Sequence, residues 1–210
     1  MKKTRSLLFA EDAILWNNNR MRTNLTLQFL RRPMTTGAIC ASSLGLSRMM
    51  TSDIGVEDAD VVVELGPGTG AITRSILPKL KQDSDFFAVE LNESVIPVFK
   101  ERFPDCDIYH ESAAKLPGLL RQRGKRNANV ILSGLPWAAF PSSLQDELLS
   151  AILESLPEGG SFATFAYLQG VLLPAGIKFR RKLHSFFRSV DLSPVVWMNL
   201  PPAFVYRCRK

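Results

Sequence analysis

The sequence predicts an α/β protein with a doubly wound sheet and a helical extension at its amino end. Short apolar runs alternate with helix-like segments from residue 60 onward, and a glycine-rich loop joins the first run to the segment after it. Residues 11–32 carry apolar side chains at helical spacing and stop before Pro33. We therefore assign residues 1–45 to the helical extension, with possible membrane contact, and 46–210 to the sheet domain.

The predicted strands and helices follow in regular order. Val61–Leu65 begins with three β-branched valines, as expected of a buried parallel strand. Further parallel strands are predicted at 86–89, 106–109, 129–132 and 161–167, and an antiparallel pair at 194–199 and 204–209. Helices are predicted at 71–80, 93–103 and 142–156, the last beginning with a Ser142-x-x-Gln145 capping box. In such a sheet, ligands bind at the carboxyl ends of the strands.

The composition is that of a globular protein, with 46% apolar and 22% charged residues. No stretch reaches the roughly 18 apolar residues of a membrane helix, and the amino end lacks a signal-peptide cleavage pattern. Cys40, Cys106 and Cys208 have neither zinc-site nor disulfide spacing. We therefore expect a cytoplasmic protein without a metal site.

Positive charge is concentrated at the two ends of the chain. Residues 1–50 and 171–210 each hold eight lysines and arginines, against two acids and one acid, whereas 51–170 holds ten basic and 17 acidic residues. The basic ends are either solvated surface or attracted to a polyanion, such as nucleic acid or an anionic membrane.

The loop after the first strand reads Glu64-Leu65-Gly66-Pro67-Gly68-Thr69-Gly70. Glycines permit a tight turn and close approach of the backbone to a ligand. Glu90 follows Gly70 by twenty residues and ends the second strand, where its carboxylate can accept hydrogen bonds from two ribose hydroxyls. Because no Walker lysine follows the glycines, the pattern favours a nucleoside cofactor over phosphate transfer.

These residues resemble the seven-stranded, Rossmann-like family of S-adenosyl-L-methionine-dependent methyltransferases over roughly residues 55–210. The resemblance implies that Glu64, Gly66, Gly68 and Gly70 hold the methionine and ribose parts of the cofactor, and that Glu90 binds the ribose. In many relatives an aspartate after the third strand contacts the adenine. Ser112, followed by Ala113, stands there in this chain, and its hydroxyl can accept the same hydrogen bond.

The fourth strand ends in Ser133-Gly134-Leu135-Pro136-Trp137, where methyl acceptors sit in this fold. Together with residues 140–141, 200–203 and 29–43, this motif looks like bacterial phospholipid N-methyltransferases, which methylate phosphatidylethanolamine or related amino lipids. The resemblance implies that Ser133, Pro136 and Trp137 belong to the site. It also implies an amino phospholipid substrate and a peripheral position on the inner membrane surface.

Two alternatives remain open. The related rRNA adenine dimethyltransferases carry Asn-Leu-Pro-Tyr at the fourth strand, but Gly134 replaces the asparagine here, and the chain has no room for their helical RNA-binding domain. The other alternative is a non-catalytic lipid-binding module, against which the intact cofactor loop counts.

Methyl transfer mostly requires alignment of donor and acceptor, and an ammonium acceptor must first lose a proton. Tyr167, His110 and bound water are candidate proton acceptors. Trp137 either stacks on the amine head group or is a core or rim aromatic.

Residues 177–190 have the pattern of an amphipathic helix. Phe179, Leu183, Phe186 and Val190 share one side, and Lys178, Arg180, Arg181, Lys182 and Arg188 flank or oppose it. The helix either faces the core with a solvated basic back, or lies in a membrane interface with its phenylalanines among the head groups.

Overall fold

The computed structural model describes residues 43–210. The helix predicted at 11–32 and the family-like segment at 29–42 lie outside the described residues, as does most of the extension assigned to 1–45.

Within residues 43–210, seven strands form one sheet in the order β3-β2-β1-β4-β5-β7-β6. Their bounds are β1 Val61–Leu65, β2 Asp85–Glu90, β3 Asp107–His110, β4 Val130–Ser133, β5 Ser161–Tyr167, β6 Ser189–Leu192 and β7 Ala203–Arg209. Strands β1 to β5 are mutually parallel, and β7 is antiparallel to both of its neighbours, β5 and β6. Leu65 is paired with Ser133, and Ser133 with Thr164, so the carboxyl ends of β1, β4 and β5 meet at one edge.

Helices cover both faces of the sheet. They are α1 Leu44–Met50, α2 Thr73–Ile76, α3 Ile96–Arg102, α4 Leu116–Gln122, α5 Ser142–Ser155 and α6 Pro174–Phe186. Alternate residues of β1 point to opposite faces: Val61, Val63 and Leu65 pack with α4, α5 and α6, whereas Val62 packs with α1, α2 and α3. This two-sided burial confirms the predicted doubly wound α/β fold.

The five predicted parallel strands are confirmed to within one or two residues at each end. In two of the predicted helices, 71–80 and 93–103, the α-helical part is shorter than expected and one 3₁₀ turn adjoins it. These turns are Leu77–Lys79, after α2, and Glu93–Val95, before α3. Helix α4 was not predicted.

The predicted capping box at the start of α5 is wrong. Pro141 occupies the N-cap position and has no N–H for a glutamine side chain to cap. Gln145 is buried instead, and its amide donates to the carbonyls of Trp137 and Phe140 at 2.8 and 3.3 Å.

The final strand pair was misplaced. Strand β7 pairs with Ser189–Leu192, whereas residues 194–199 contribute one isolated bridge, from Val196 to Ala203. Helix α6 ends at Phe186 because Phe187 turns inward and stacks on Phe162, with ring centroids 5.4 Å apart. Val190 therefore lies in a strand and not in the predicted helix.

Candidate active site

The glycine loop turns sharply at the end of β1. Gly66, Gly68 and Gly70 all have positive φ angles, from 55° to 85°, a region that side chains disfavour. A β-carbon built on Gly68 would meet no atom within 4 Å, so the loop is open to a ligand on that side. A β-carbon on Gly70 would lie 2.0 Å from the ring of Phe103, so that glycine is required by the packing of the protein itself.

The end of α3 holds this loop from outside. The guanidinium of Arg102 donates to the carbonyl of Thr69 at 2.8 Å, next to the contact between Phe103 and Gly70. Neither residue was identified from the sequence, because no local pattern links the end of this helix to a loop thirty residues earlier.

Glu90 links the glycine loop to the end of β2. One carboxylate oxygen accepts from the Gly68 N–H at 3.1 Å and the other from the Asn92 N–H at 2.8 Å. Burial raises the pKa of Glu90, although these backbone donors act in the opposite direction. The structure thus brings together two features that the sequence separates by twenty residues.

Glu64 is completely buried beside the loop. Its Oε2 accepts from the Thr73 hydroxyl at 2.6 Å, while its Oε1 has no hydrogen-bond partner in the described part of the chain. Burial raises the pKa of Glu64 to about 8; the Thr73 hydrogen bond opposes this shift and the nearby charge of Glu90 adds to it. An unpartnered buried acceptor beside an open glycine loop fits a ligand with a cationic donor, such as the ammonium of S-adenosylmethionine.

The predicted adenine-side residues follow β3. The Ser112 hydroxyl accepts from the Ala114 N–H at 3.3 Å and caps a 3₁₀ turn that begins at Ala113. Both residues are partly exposed. His110 is exposed and its Nε2 lies 3.2 Å from the carbonyl of Leu91.

The loop after β4 contacts the glycine loop directly. A β-carbon built on Gly134 would lie 2.5 Å from the Gly66 carbonyl oxygen, and one built on Gly66 would lie 2.7 Å from the Leu135 side chain. Pro136 is exposed and precedes the 3₁₀ turn Trp137–Ala139. This contact places the two loops side by side.

Trp137 does not lie in the open part of the site. It is 2% exposed, Phe179 stacks on its ring at 5.2 Å, and Phe140 and Phe162 meet it edge-on. The predicted stacking of Trp137 on a head group is therefore wrong for this structure, and the alternative of a core aromatic holds.

Ser133 is likewise turned toward the core. Its side chain is fully buried, and its hydroxyl accepts from the indole N–H of Trp137 at 3.0 Å and from the Leu135 N–H at 3.3 Å. These two hydrogen bonds give Ser133 a structural role, and its predicted contact with the cofactor stays a prediction. With Gln145, Ser133 fixes the conformation of residues 133–140.

Tyr167 ends β5, next to β4, and is partly exposed. Its ring meets Phe165 edge-on at 5.6 Å and packs on the face of the sheet opposite to Trp137. The structure therefore brings together Glu64, Glu90 and the three loop glycines, with Pro136 at the neighbouring loop, but it separates Tyr167 from Trp137.

Helix α6 faces the core with its apolar side, because Phe179, Leu183 and the following Phe187 are buried. The interfacial arrangement of these phenylalanines is therefore wrong, and its basic side is the exposed one. Across the described range, no helix is both long and apolar enough to cross a membrane.

Comparison with known proteins supports the cofactor assignment. No family model matches the chain. The chain is 32% identical to an ornithine lipid N-methyltransferase from Singulisphaera acidiphila in an alignment of 187 residues that covers 87% of this chain and 92% of that enzyme. Ribosomal RNA small subunit methyltransferase A from Sulfurihydrogenibium sp. matches at 41% identity, but over only 54 residues and 20% of its length.

Solved structures show the same fold at low sequence identity. An O-methyltransferase from Bacillus cereus in complex with S-adenosylhomocysteine has a TM-score of 0.60 at 9% identity, covering 78% of this chain and 80% of that one. The O-methyltransferase TomG from Streptomyces achromogenes, in complex with S-adenosylmethionine, has a TM-score of 0.58 at 14% identity, covering 78% and 79%. The chain therefore belongs to the class I S-adenosylmethionine-dependent methyltransferases, in the family of the ornithine lipid N-methyltransferase, and uses S-adenosyl-L-methionine as its methyl donor.

Proposed function

We propose that this enzyme methylates the primary amine of a membrane amino lipid, with phosphatidylethanolamine and related amino phospholipids as the substrate class. The observation that carries the proposal is the similarity to a lipid N-methyltransferase across 92% of that enzyme's length. A lipid acceptor also requires the protein to work at a membrane surface, as a peripheral protein.

The loop after β4 supports a lipid over an RNA acceptor. An asparagine at position 134 would need its β-carbon 2.5 Å from the Gly66 carbonyl, so the loop in this conformation has no room for it. The similarity to rRNA methyltransferases covers between 26% and 55% of the chain, less than the 87% covered by the similarity to the lipid enzyme.

The bound cofactor supplies an electrophilic methyl group on a sulfonium. The acceptor amine would have to meet that methyl group in its deprotonated form, so the chain must position the amine and let its proton leave. The glycine loop and Glu90 hold the donor, and the loop at 134–136 borders the acceptor, so the chain's main contribution is alignment.

Tyr167 is the better candidate to contact the amine. It ends β5, beside the acceptor loop on β4, whereas His110 ends β3 on the far side of the glycine loop. Four strand spacings of about 4.8 Å separate β3 from β5, roughly 19 Å, so the two side chains cannot serve the same amine. We propose that the Tyr167 hydroxyl orients the amine while water takes up its proton.

The test uses purified protein with methyl-labelled S-adenosylmethionine and four acceptors: vesicles of phosphatidylethanolamine, of ornithine lipid, and of phosphatidylcholine alone, and naked rRNA. We expect label in an amino lipid and none in the other two acceptors. Label in rRNA with the lipids unlabelled would overturn the proposal, as would the absence of label from both amino lipids. Label in ornithine lipid alone, which has no phosphate, would keep an amino lipid as the acceptor but overturn an amino phospholipid as the substrate class.

A further inference from the structure

Two loops lie side by side at the end of the sheet where the candidate active site lies, beyond the carboxyl ends of the parallel strands. They are residues 168–173, between β5 and α6, and 193–202, between β6 and β7. Tyr167 pairs with Ala203, the Leu168 N–H donates to the Pro202 carbonyl at 2.8 Å, and the Val196 N–H donates to the Ala203 carbonyl at 2.7 Å. Buried Asn199 fixes the second loop, since its amide donates to the Pro201 carbonyl and its oxygen accepts from the Ser43 N–H.

These loops expose large apolar side chains of a kind that globular proteins normally bury. Leu172, Leu173, Trp197, Met198 and Leu200, which we call the apolar rim, have exposed fractions of 58–90%. The other exposed large apolar side chains between residues 43 and 210 reach only 38–46%. The five most exposed large apolar side chains of this range thus lie in two adjoining loops, and a concentrated apolar patch marks an interaction surface.

The charge around the rim matches one type of partner. Residues 168–177 and 193–203 contain no charged side chain. Cations begin immediately afterwards on α6, where Lys178, Arg180 and Arg181 are exposed and form no ion pair with residues 43–210. Lys182 is different, because it pairs with Asp146 at 2.7 Å. An uncharged apolar tip followed by free cations is complementary to an anionic bilayer, with its apolar interior beneath negative phosphates.

The apolar rim also lies close to the proposed site of methyl transfer. Thr164 of β5 is level with Ser133 of β4, and Tyr167 lies three residues beyond it. Because a strand rises about 3.3 Å per residue, the loops begin roughly 10 Å past the level at which β4 ends. A bilayer that touched the rim would present its head groups beside Tyr167 and Pro136.

We infer that the apolar rim inserts into the head-group layer of an anionic bilayer while Lys178, Arg180 and Arg181 contact lipid phosphates. The inference rests on the proposed function, in that the acceptor is drawn from the layer into which the rim inserts. It assigns membrane contact to the two loops and not to the phenylalanines of α6, which are buried.

The first test compares two variants of similar chemistry. The rim variant combines Leu172→Ser, Leu173→Ser, Trp197→Ser and Met198→Ser, and the control combines Val98→Ser and Leu192→Ser, which are exposed on α3 and β6. Both should keep the wild-type melting temperature and affinity for S-adenosylhomocysteine, since all six side chains are exposed. We expect the rim variant to bind phosphatidylglycerol vesicles at least tenfold more weakly than the wild type, and the control within twofold. Equal binding of the two variants would overturn the inference.

The second test measures the fluorescence of Trp197 in a Trp16→Phe variant. In that variant the other remaining tryptophan is Trp137, which is buried. Phosphatidylglycerol vesicles should shift the emission of Trp197 to the blue, brominated lipids should quench it, and phosphatidylcholine vesicles should have much less effect. Emission that is already blue-shifted without vesicles and unchanged by them would show that the protein itself covers the rim. A wild-type dimer that the rim variant converts to a monomer, without loss of vesicle binding, would assign the rim to self-association. Either result overturns the inference.

A third measurement separates this inference from the proposed function. Monomeric short-chain phosphatidylethanolamine removes the need for a membrane, so the rim variant should methylate it at a rate within about threefold of wild type while losing most activity on vesicles. Wild-type protein that inserts Trp197 into vesicles but methylates no lipid would refute the proposed function and leave the insertion surface standing. Loss of both activities in the folded rim variant would place these residues in the acceptor site and overturn the inference.

Discussion

A β-carbon on Gly134 would lie 2.5 Å from the carbonyl oxygen of Gly66. These residues follow β4 and β1, which are neighbours in the sheet, and the Gly134 N–H donates to the carbonyl of Leu65 at 2.8 Å. The loop after β4 and the glycine loop are therefore in backbone contact, and a side chain at position 134 must displace both loops.

Gly134→Ala should destabilise the protein by about 1–3 kcal/mol, the usual range for overpacking, and should weaken binding of S-adenosylhomocysteine. Gly134→Asn should likewise lower stability and cofactor affinity, and it should not give the enzyme activity on adenine. Urea unfolding and calorimetry measure the two effects. Gly118→Ala is the control, because a β-carbon in that helix meets no atom within 4 Å. Wild-type stability and affinity in Gly134→Asn would contradict this account.

Gly68→Val should abolish binding of S-adenosylhomocysteine while the domain still folds, because the new side chain fills the open space above the loop. Calorimetry and circular dichroism check the two parts. Gly124→Val is a matched control, since Gly124 also has a positive φ and open space around its β-carbon but lies after α4. Both variants carry similar backbone strain, so unchanged affinity in Gly68→Val would remove this loop from the cofactor site.

The raised pKa of Glu64 predicts that the stability of the cofactor-free protein depends on pH. With a folded pKa of about 8 and an ordinary value of 4.5, the carboxyl group is protonated in the folded state and ionised in the unfolded chain between these values. Its contribution to stability is present at low pH and is lost as pH rises across this window, by up to about 1.4 kcal/mol per unit. Urea unfolding at pH 5, 6.5 and 8 should show this decline, and Glu64→Gln should flatten it. Parallel curves for the two proteins would exclude Glu64 as its source.

Trp137→Ala should cost about 3–5 kcal/mol of stability, as expected for a large buried aromatic side chain. Trp137→Phe retains most of the packing and loses the hydrogen bond to Ser133, a loss of about 1 kcal/mol. Turnover and cofactor affinity should fall together as the folded fraction falls. A Trp137→Ala protein with normal stability and affinity but no turnover would restore a direct role with the acceptor.

Tyr167→Phe should reduce lipid turnover about tenfold, because one hydrogen bond to the amine is worth about 1.4 kcal/mol in the transition state. Affinity for S-adenosylhomocysteine should not change. His110→Gln, on the far side of the glycine loop, should leave acceptor turnover within twofold. A larger effect from His110→Gln than from Tyr167→Phe would reverse the assignment.

The sequence predicts those parts of the molecule that local patterns determine. Val61–Leu65 and Ser161–Tyr167 are apolar runs of strand length, and they form strands at the predicted residues. Glu64 is the second-last residue of β1 and Glu90 is the last residue of β2, so the sheet places both beside the same glycine loop.

The sequence does not predict features that depend on distant partners. Trp137 is buried because Phe179, forty-two residues later, stacks on it. Strand β6 forms because Ser189–Leu192 meets residues 206–209 on β7, and its own pattern of two exposed and two partly exposed residues is weak. The exposure of Met198 and the clash at Gly134 likewise follow from tertiary geometry.

The step of three residues between Thr164 and Tyr167 has a consequence for substrate choice. If the loops after Tyr167 rest on a bilayer as proposed, the last three residues of β5 set the distance between the membrane surface and the level at which β4 ends, about 10 Å. On that proposal, an acceptor amine would be selected by the length of the head group that carries it. Inserting or deleting two residues in both β5 and β7 would change that distance, and with it the length of head group that the enzyme prefers.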